Sequence, residues 1–465
     1  MVRYPPQGQA GVADLKTLFA SKVIDLSQDP YDCMLIETLV NAGKLTVDQV
    51  ASYINMYGTA DFWAAQVNLW STSFVIAILN SANLSVSRVA SIINSDNLPV
   101  SRAVSILNNL TTSMAYSILA DVNLSANKTQ SILYNMDFST RLADILTYGA
   151  GNLTVSSNTS ISGVNRYGTL TVNSGVTLTI TGQPGVLIVK TLNNSGTIVK
   201  SASGGIGGGA LGGCGLGGYG GGGLIFFADS LTNSGIISAD GVNGGDGSTV
   251  AASGVGQGGG SGSFIIVGTD TAGTGGTGGM CGGTNNSGGV NGASGGGCGY
   301  GYGGSGGAGG GSSYTNFADY TSLATTIKRA IIDWFIVNVL GKSPSSTQAI
   351  PNVRGSGGGG GSGSDDYCAS GGGGGGGGEI LALCISLNNT GTIRANGGNG
   401  GNGGYEGAYD ACGGGGGGGI VYVLYKTLVN TGTLSTAGGV HGATADCHGT
   451  NGTAGTAKAV AVSGI

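Results

Sequence analysis

Two short stretches of this 465-residue chain set carboxylates beside phenolic hydroxyls: "DDYC", holding Asp365, Asp366 and Tyr367, and "YEGAYDAC", holding Tyr405, Glu406, Tyr409 and Asp410. Paired carboxylates are what a glycosidase requires, one to protonate the leaving oxygen and one to act as base or nucleophile. The pairs Asp365 with Asp366 and Glu406 with Asp410 have the right residue types, but the chain holds only three glutamates and two histidines, and no basic clamp stands beside either pair. Recognition is the better use. A tyrosine on a rigid frame gives a large contact area at low entropy cost, suited to sugars or protein receptors. Asp365, Asp366, Tyr367, Tyr405, Tyr409 and Asp410 are therefore the expected binding residues, and no catalytic residue is expected. Tyr300, Tyr302 and Tyr314 lie in similar loops, as receptor contacts or as rings filling gaps between glycines.

Metal chemistry has one candidate cluster. In "HGATADCHG", His441, Asp446, Cys447 and His448 bring ligand types together, but the spacing fits no Cys-x-x-Cys or His-x-x-x-His site, so a polar loop with no metal and no cofactor is expected. Eight cysteines leave the disulfide connectivity open. Cys368 and Cys412 each precede a long glycine run and are candidates to face one another, and Cys281 and Cys298 to close a loop. Cys384 falls inside a strand and reads as a small buried hydrophobe.

The elements that must position these residues differ sharply along the chain. Of 99 glycines, only Gly8, Gly11, Gly43, Gly58 and Gly149 precede residue 150. With 40% hydrophobic residues, 9% charged residues and a net charge of −5, the chain reads as folded, and no basic groove for nucleic acid is present. Residues 1–150 carry a repeat: "LSVSRVASIIN" from Leu84, "LPVSRAVSILN" from Leu98, "LTTSMAYSILA" from Leu110, "LSANKTQSILY" from Leu124 and "FSTRLADILTY" from Phe138, with "LTVDQVASYIN" from Leu45 as an earlier copy. Each predicts a short helix with a Ser, Thr or Pro at its start and an apolar pair facing inward, too short to stand alone. Trp63, Trp70 and Phe74 are expected in the core rather than at a subunit contact. This domain is read as scaffold or attachment.

From Asn152 the hydrophobic period becomes two, as in strands. Residues 151–202 are read as a β-rich connector and 203–465 as a glycine-rich domain. "GVLIVKTLNNSGTIVK", "GLIFFADSLTNSGIISADG", "EILALCISLNNTGTIRANG" and "IVYVLYKTLVNTGTLSTAG" are four versions of one unit, each with an Asn-(Ser/Thr)-Gly turn where a glycine of positive φ is expected. Long glycine runs precede several of these strands, in a phase no linker would keep. The reading is ordered polyglycine II rods, packed side by side because they carry no Cβ. The fold expected is α+β and multidomain: an all-α short-helix repeat domain, then an all-β, β-solenoid-like glycine-rich domain with polyglycine II helices. Within it, residues 317–343, with Leu323, Ile327, Ile331, Trp334 and Phe335 on one face, predict a helical insertion stopped by Gly341 and Pro344.

The glycine runs alternating with short variable loops resemble the distal tail-fibre adhesins of T-even-type phages. The unit around "GGGGGGGIVYVLYKTLVNTGTLSTAGG" is also similar to repeats of glycine-rich surface adhesins and virion proteins of bacteria and archaea. The resemblance spans roughly residues 185–450 and does not reach the helical domain. It implies a non-enzymatic virion appendage (a tail fibre, spike or vertex protein) that joins other virion proteins through its helical domain. Its loops would be presented to a glycan or protein receptor on the host, and it would form a homo-oligomer. Alternatives are a cellular surface adhesin or extracellular filament subunit and, third, a carbohydrate-active β-solenoid enzyme. The amino terminus "MVRYPPQGQAGVADLK" has no apolar leader segment, so assembly inside a cell and exposure on the virion surface is the expected route. Sequons at Asn83, Asn109, Asn123, Asn127, Asn152, Asn158, Asn193, Asn285, Asn388 and Asn451 are possible glycosylation sites.

Overall fold

The computed structural model describes residues 30–56, 58–201, 216–246, 320–348, 371–403, 412–443 and 449–463. They divide into two compact units: the chain up to Asp137 joined by Phe335–Ser345, and Phe138–Trp334 joined by Ser346–Ile465.

In the first unit the leading leucines do announce helices: α1 (Pro30–Asn41), α2 (Val47–Met56), α3 (Ala60–Leu69), α4 (Thr72–Leu79), α5 (Val86–Asn94), α6 (Val100–Asn109), α7 (Thr112–Ala120) and α8 (Ala126–Asn135). The side chains of Ser85, Thr111 and Ser125 cap α5, α7 and α8 by accepting from the N–H groups of Arg88, Met114 and Lys128. Helices this short gain their stability from neighbours. Each packs on the helix two further along, α1 on α3, α2 on α4 and so on to α6 on α8, giving two parallel rows. Val89, Ile92, Ile93, Ala103, Ile106 and Leu107 are buried between them. Trp63, Trp70 and Phe74 are buried too, with Trp70 and Phe74 edge to face at 5.2 Å.

A second device repeats with the helices. Arg88 donates to the carbonyls of Ile54 and Gly58, Arg102 to those of Val67 and Trp70, and Lys128 to those of Ser95 and Leu98. Each cation thus satisfies carbonyls left over where a helix ends, and its charge suits the negative end of that helix. The equivalent place after α7 is filled from far along the chain. Lys342 Nζ lies 2.9 Å from the Asp121 carbonyl and 2.7 Å from that of Leu124, and Asn127 accepts from the Ser345 N–H at 2.8 Å.

The second unit holds helix α9 (Thr140–Leu146), α10 (Tyr320–Asn338) up to Trp334, and eleven strands among the described residues. These are β1 (Leu153–Val155), β2 (Thr159–Val172), β3 (Thr177–Asn194), β4 (Thr197–Lys200), β5 (Gly223–Asn233) and β6 (Ile236–Ser238), then β7 (Glu379–Asn389), β8 (Thr392–Arg394), β9 (Ile420–Asn430), β10 (Thr433–Ser435) and β11 (Thr456–Ala461). Every pairing is parallel. Two sheets result, because β2 and β3 run through both. One sheet of seven strands is β1, the later halves of β2 and β3, then β5, β7, β9 and β11. The other, of six, is the early halves of β2 and β3, then β4, β6, β8 and β10. Leu192, Leu231, Leu387, Ile198, Ile237 and Ile393 fill the space between them. At the corner, Asn194 donates to Asn233 Oδ1 at 2.7 Å, Asn233 to Asn389 Oδ1 at 2.6 Å, and Asn389 to the Thr431 carbonyl at 2.6 Å.

This overturns the expected all-β, β-solenoid-like domain. The unit is α/β-like: parallel sheets carrying helices, with α9 packed against β3 and β5. The reason lies in runs such as "GLIFFA" and "EILAL", which are apolar at successive positions rather than alternately, as strands buried on both faces must be. Phe226 faces the inter-sheet core, while Phe227 turns the other way and meets Phe138, just before α9, with ring centroids 5.0 Å apart. Tyr422 likewise meets Tyr320 of α10 at 5.8 Å. The turn glycines also differ from expectation. Gly432 has φ +56°, but Gly196, Gly235 and Gly391 are not among the glycines of positive φ. They are glycine because a Cβ there would overlap backbone carbonyls of neighbouring segments, for example Gly196 O at Gly235.

Candidate functional site

Beyond the strands lie glycine segments 216–222, 239–246, 371–378, 395–403, 413–419, 436–443 and 449–455, which have neither α-helical nor ladder bonding. Their hydrogen bonds repeat every three residues and run between segments. Gly372, Gly375 and Gly378 donate to Gly245, Val242 and Ala239; Gly374 and Gly377 donate to Gly414 and Gly417; Gly373 and Gly376 accept from Gly218 and Gly221. Successive residues therefore point to three different neighbours, the periodicity of a threefold extended chain. A segment surrounded this way has no room for side chains. A Cβ at Gly374 would overlap the Gly398 carbonyl, and one at Gly375 the Tyr219 carbonyl.

Side chains occur at every third position on the outer segments, where each reaches the backbone of the next segment. Asp240, Asn243 and Asp246 accept from the N–H groups of Asn396, Asn399 and Asn402; those asparagines in turn accept from Ala437, Val440 and Ala443. Each short polar side chain so extends the backbone pattern by one acceptor. The signal was present in "DGVNGGD" and "NGGNGGN" as a period of three, and it escaped a reading based on periods of two and 3.6.

At the level farthest from the strands among the described residues, Gly245 donates to Leu216, Gly372 to Gly245, Gly401 to Gly372, Gly413 to Gly401 and Gly442 to Gly413, all within 2.6–2.9 Å. The expected binding residues Asp365, Asp366, Tyr367, Tyr405, Tyr409 and Asp410 lie outside the described residues, as do Cys281, Cys298, Cys368 and Asn285. The described residues on either side of them in sequence, Gly371, Gly403 and Cys412, adjoin that level. Cys412 is buried and disulfide-bonded, and its sulfur lies 4.0 Å from His441 Nδ1. Cys384 is a free thiol in the inter-sheet core, and burial pushes its pKa up.

Several sequon asparagines have structural work. Asn152 and Asn158 accept from the N–H groups of Thr169 and Thr177, Asn388 from the Asn430 amide and Asn451 from the His441 N–H. Asn83, Asn109, Asn123 and Asn127 are exposed on the helical unit, and Asn193 is half-buried in β3. On the helical unit an open groove of about 620 Å³ is lined by Asp61, Asn94, Asp96, Asn123, Asn127 and Lys128. Its charged groups are largely engaged: Asp61 accepts from Ser95 Oγ, and Lys128 caps carbonyls as above.

Tyr422 has its pKa pushed up to about 12, by burial first and then by Tyr320 and Glu379. Among the described residues no group of His, Cys, Asp and Glu is arranged to hold a metal, and no helix is long and apolar enough to cross a membrane. No protein-family model, curated protein or solved structure matches the chain.

Proposed function

We propose that this chain is a non-enzymatic attachment protein, a structural appendage of a virus particle, with the helical unit as its joint to other virion proteins. The glycine array holds the segments bearing Asp365, Asp366, Tyr367, Tyr405, Tyr409 and Asp410 toward a host-surface glycan or protein receptor. The observation that carries this reading is a level of the array at which Gly245, Gly372, Gly401, Gly413 and Gly442, far apart in sequence, are hydrogen-bonded to one another. Stretches of chain continuing from these residues would be held on a common frame. A frame held by its own backbone hydrogen bonds tolerates change in what it displays. The resemblance to glycine-rich tail-fibre adhesins supports the same division of labour.

The test is the triple variant Tyr405→Ala, Tyr409→Ala, Asp410→Ala, measured for attachment of purified chain to intact cells and to a glycan array. Loss of attachment with unchanged melting and unchanged incorporation into particles is expected, since surface changes usually shift stability by less than about 0.5 kcal/mol. Undiminished attachment would count against the reading. Loss of a glycan-cleaving activity in Glu406→Gln, with attachment intact, would make the chain an enzyme instead.

A further inference from the structure

The polar groove of the helical unit has its hydrogen-bonding side chains set in advance. Asn94, the last residue of α5, accepts from the Ser125 N–H at 2.9 Å, and Asn127, in the first turn of α8, accepts from the Ser345 N–H at 2.8 Å. Asn55 receives the Ser85 N–H and hydroxyl in the same way, so the pairing belongs to the repeat. A backbone N–H can be met only by the amide oxygen, which fixes how each amide is turned. The oxygens are committed to the frame, and what Asn94 and Asn127 have left to offer the groove is their NH2 donors. Asn123 is set the other way round: its Nδ2 donates to Asp121 Oδ1 at 3.0 Å, and its own oxygen is left as an acceptor. Asp96 adds an exposed carboxylate, and Ser131 a hydroxyl able to donate and accept.

The lining selects a ligand class. At about 620 Å³ the groove is the size of a small-molecule site, but such sites are mostly apolar, and among the described residues only Ala60 is an apolar lining residue here. An aromatic or aliphatic ligand would bury little against it, and a polypeptide would find no pocket for its side chains. An anion would meet the carboxylates of Asp61 and Asp96, while the Lys128 ammonium already donates to the Ser95 and Leu98 carbonyls. Among the described residues no group is arranged to hold a metal. What fits amide donors set beside amide and carboxylate acceptors is an uncharged ligand whose polar atoms each donate and accept, and neighbouring hydroxyls on a sugar ring do both.

We propose that this groove binds a neutral saccharide, with Asn94 and Asn127 donating to its hydroxyls and Asp96 and Asn123 accepting from them. The saccharide is a soluble oligosaccharide or a glycan carried on another protein, and its hydroxyl chemistry is the same in both. The groove lies within the helical unit and uses none of the residues proposed to meet a receptor, so its failure leaves the receptor proposal intact.

The test uses the full-length chain made in a host without N-glycosylation, so that Asn123 and Asn127 are unmodified. An array of neutral and anionic oligosaccharides selects the probe, and titration calorimetry with the best neutral one measures it. Saturable binding is expected. Asn94→Asp and Asn127→Asp keep the oxygen that the serine N–H requires and replace the NH2 donor by an acceptor. Each should melt as wild type does and bind at least about tenfold more weakly. Asp96→Asn should weaken binding as well, whereas the variant altered at Tyr405, Tyr409 and Asp410 should retain it. Capture of glycosylated but not enzymatically deglycosylated particle proteins would assign the ligand to a protein-borne glycan, and binding of soluble oligosaccharide without such capture to a free one; both support the site. The proposal is overturned if no neutral oligosaccharide binds the wild-type chain at millimolar concentration, or if the folded Asn94→Asp and Asn127→Asp variants bind it as tightly as wild type. It is also overturned if these variants lose only an anionic oligosaccharide or a peptide.

Discussion

In the helical unit backbone hydrogen bonds stay largely within each helix and side chains hold the helices together; in the glycine array backbone hydrogen bonds run between segments, and side chains are excluded from its interior. Ile106 and Leu107 are buried among apolar neighbours, each replaceable by a similar shape at modest cost. Gly374 is surrounded by carbonyls that are themselves bonded, so nothing around it can move aside. One region can therefore vary in sequence while keeping a pattern. The other cannot vary inside at all and passes all variation to its outer positions and connections. Ordering each residue costs about 1 to 2 kcal/mol of backbone entropy, which a lone glycine segment cannot offset and a cooperative lattice can.

The largest effect should come from adding carbon to the array. Overpacking typically costs about 1 to 3 kcal/mol where neighbours can yield, and Gly374→Val should exceed that range because the opposing atom is the Gly398 carbonyl oxygen. Calorimetry should show loss of the second unit's transition; unchanged melting would mean that the segment is a solvated linker. Next is Lys342→Ala, which leaves the Asp121 and Leu124 carbonyls without their donor and should cost the helical unit about 1 to 3 kcal/mol. Denaturant unfolding followed by helix signal checks it, and the strand unit should be unaffected. Removing one carbon by Ile106→Val should cost only about 0.5 to 1.5 kcal/mol, the reverse of the glycine result.

The smallest effect is on pH dependence. Burial lowers the pKa of Lys200 to about 8, and that of Lys342 also to about 8 against the opposing pull of Asp121. The unfolded chain holds these protons more tightly, with an ordinary value of 10.5. Their contribution is therefore fully present above 10.5 and is lost as pH falls through about 8, so stability should rise modestly across that window. Lys200→Met should flatten the rise for the strand unit and Lys342→Met for the helical unit; an unchanged slope in both would mean that neither lysine titrates there.

Much of this was readable in advance where the signal is local. Leu84, Leu98, Leu110 and Leu124 each stand two residues before a helix, and the face of Leu323, Ile327 and Ile331 lies in α10. The strand–turn–strand units fall where the Asn-(Ser/Thr)-Gly motif predicts them. The packing of α9 on β3 and β5 follows from continuous apolar runs such as "GLIFFA", which a period of two does not describe. The capping role of Lys342 was missed because its acceptors lie more than 200 residues away. For the candidate site, the residue types were legible in "DDYC" and "YEGAYD", but the frame beneath them depends on which segments are neighbours.

The sequence by itself determined the period of each region: 3.6 and a leucine for the helices, two and an Asn-Gly corner for the strands, three and bare glycine for the array. These are properties of successive φ, ψ and side-chain volume, and they are written residue by residue. Only the tertiary structure decided which segments meet. Asn396 finds Asp240 across 156 residues, and β7 lies beside β5 although a long stretch of chain separates them. Glycine segments are nearly identical to one another, so no local feature chooses among partners. The choice falls to the parallel strands at their roots, whose apolar columns admit a single register because a slip of one residue would turn each buried face outward.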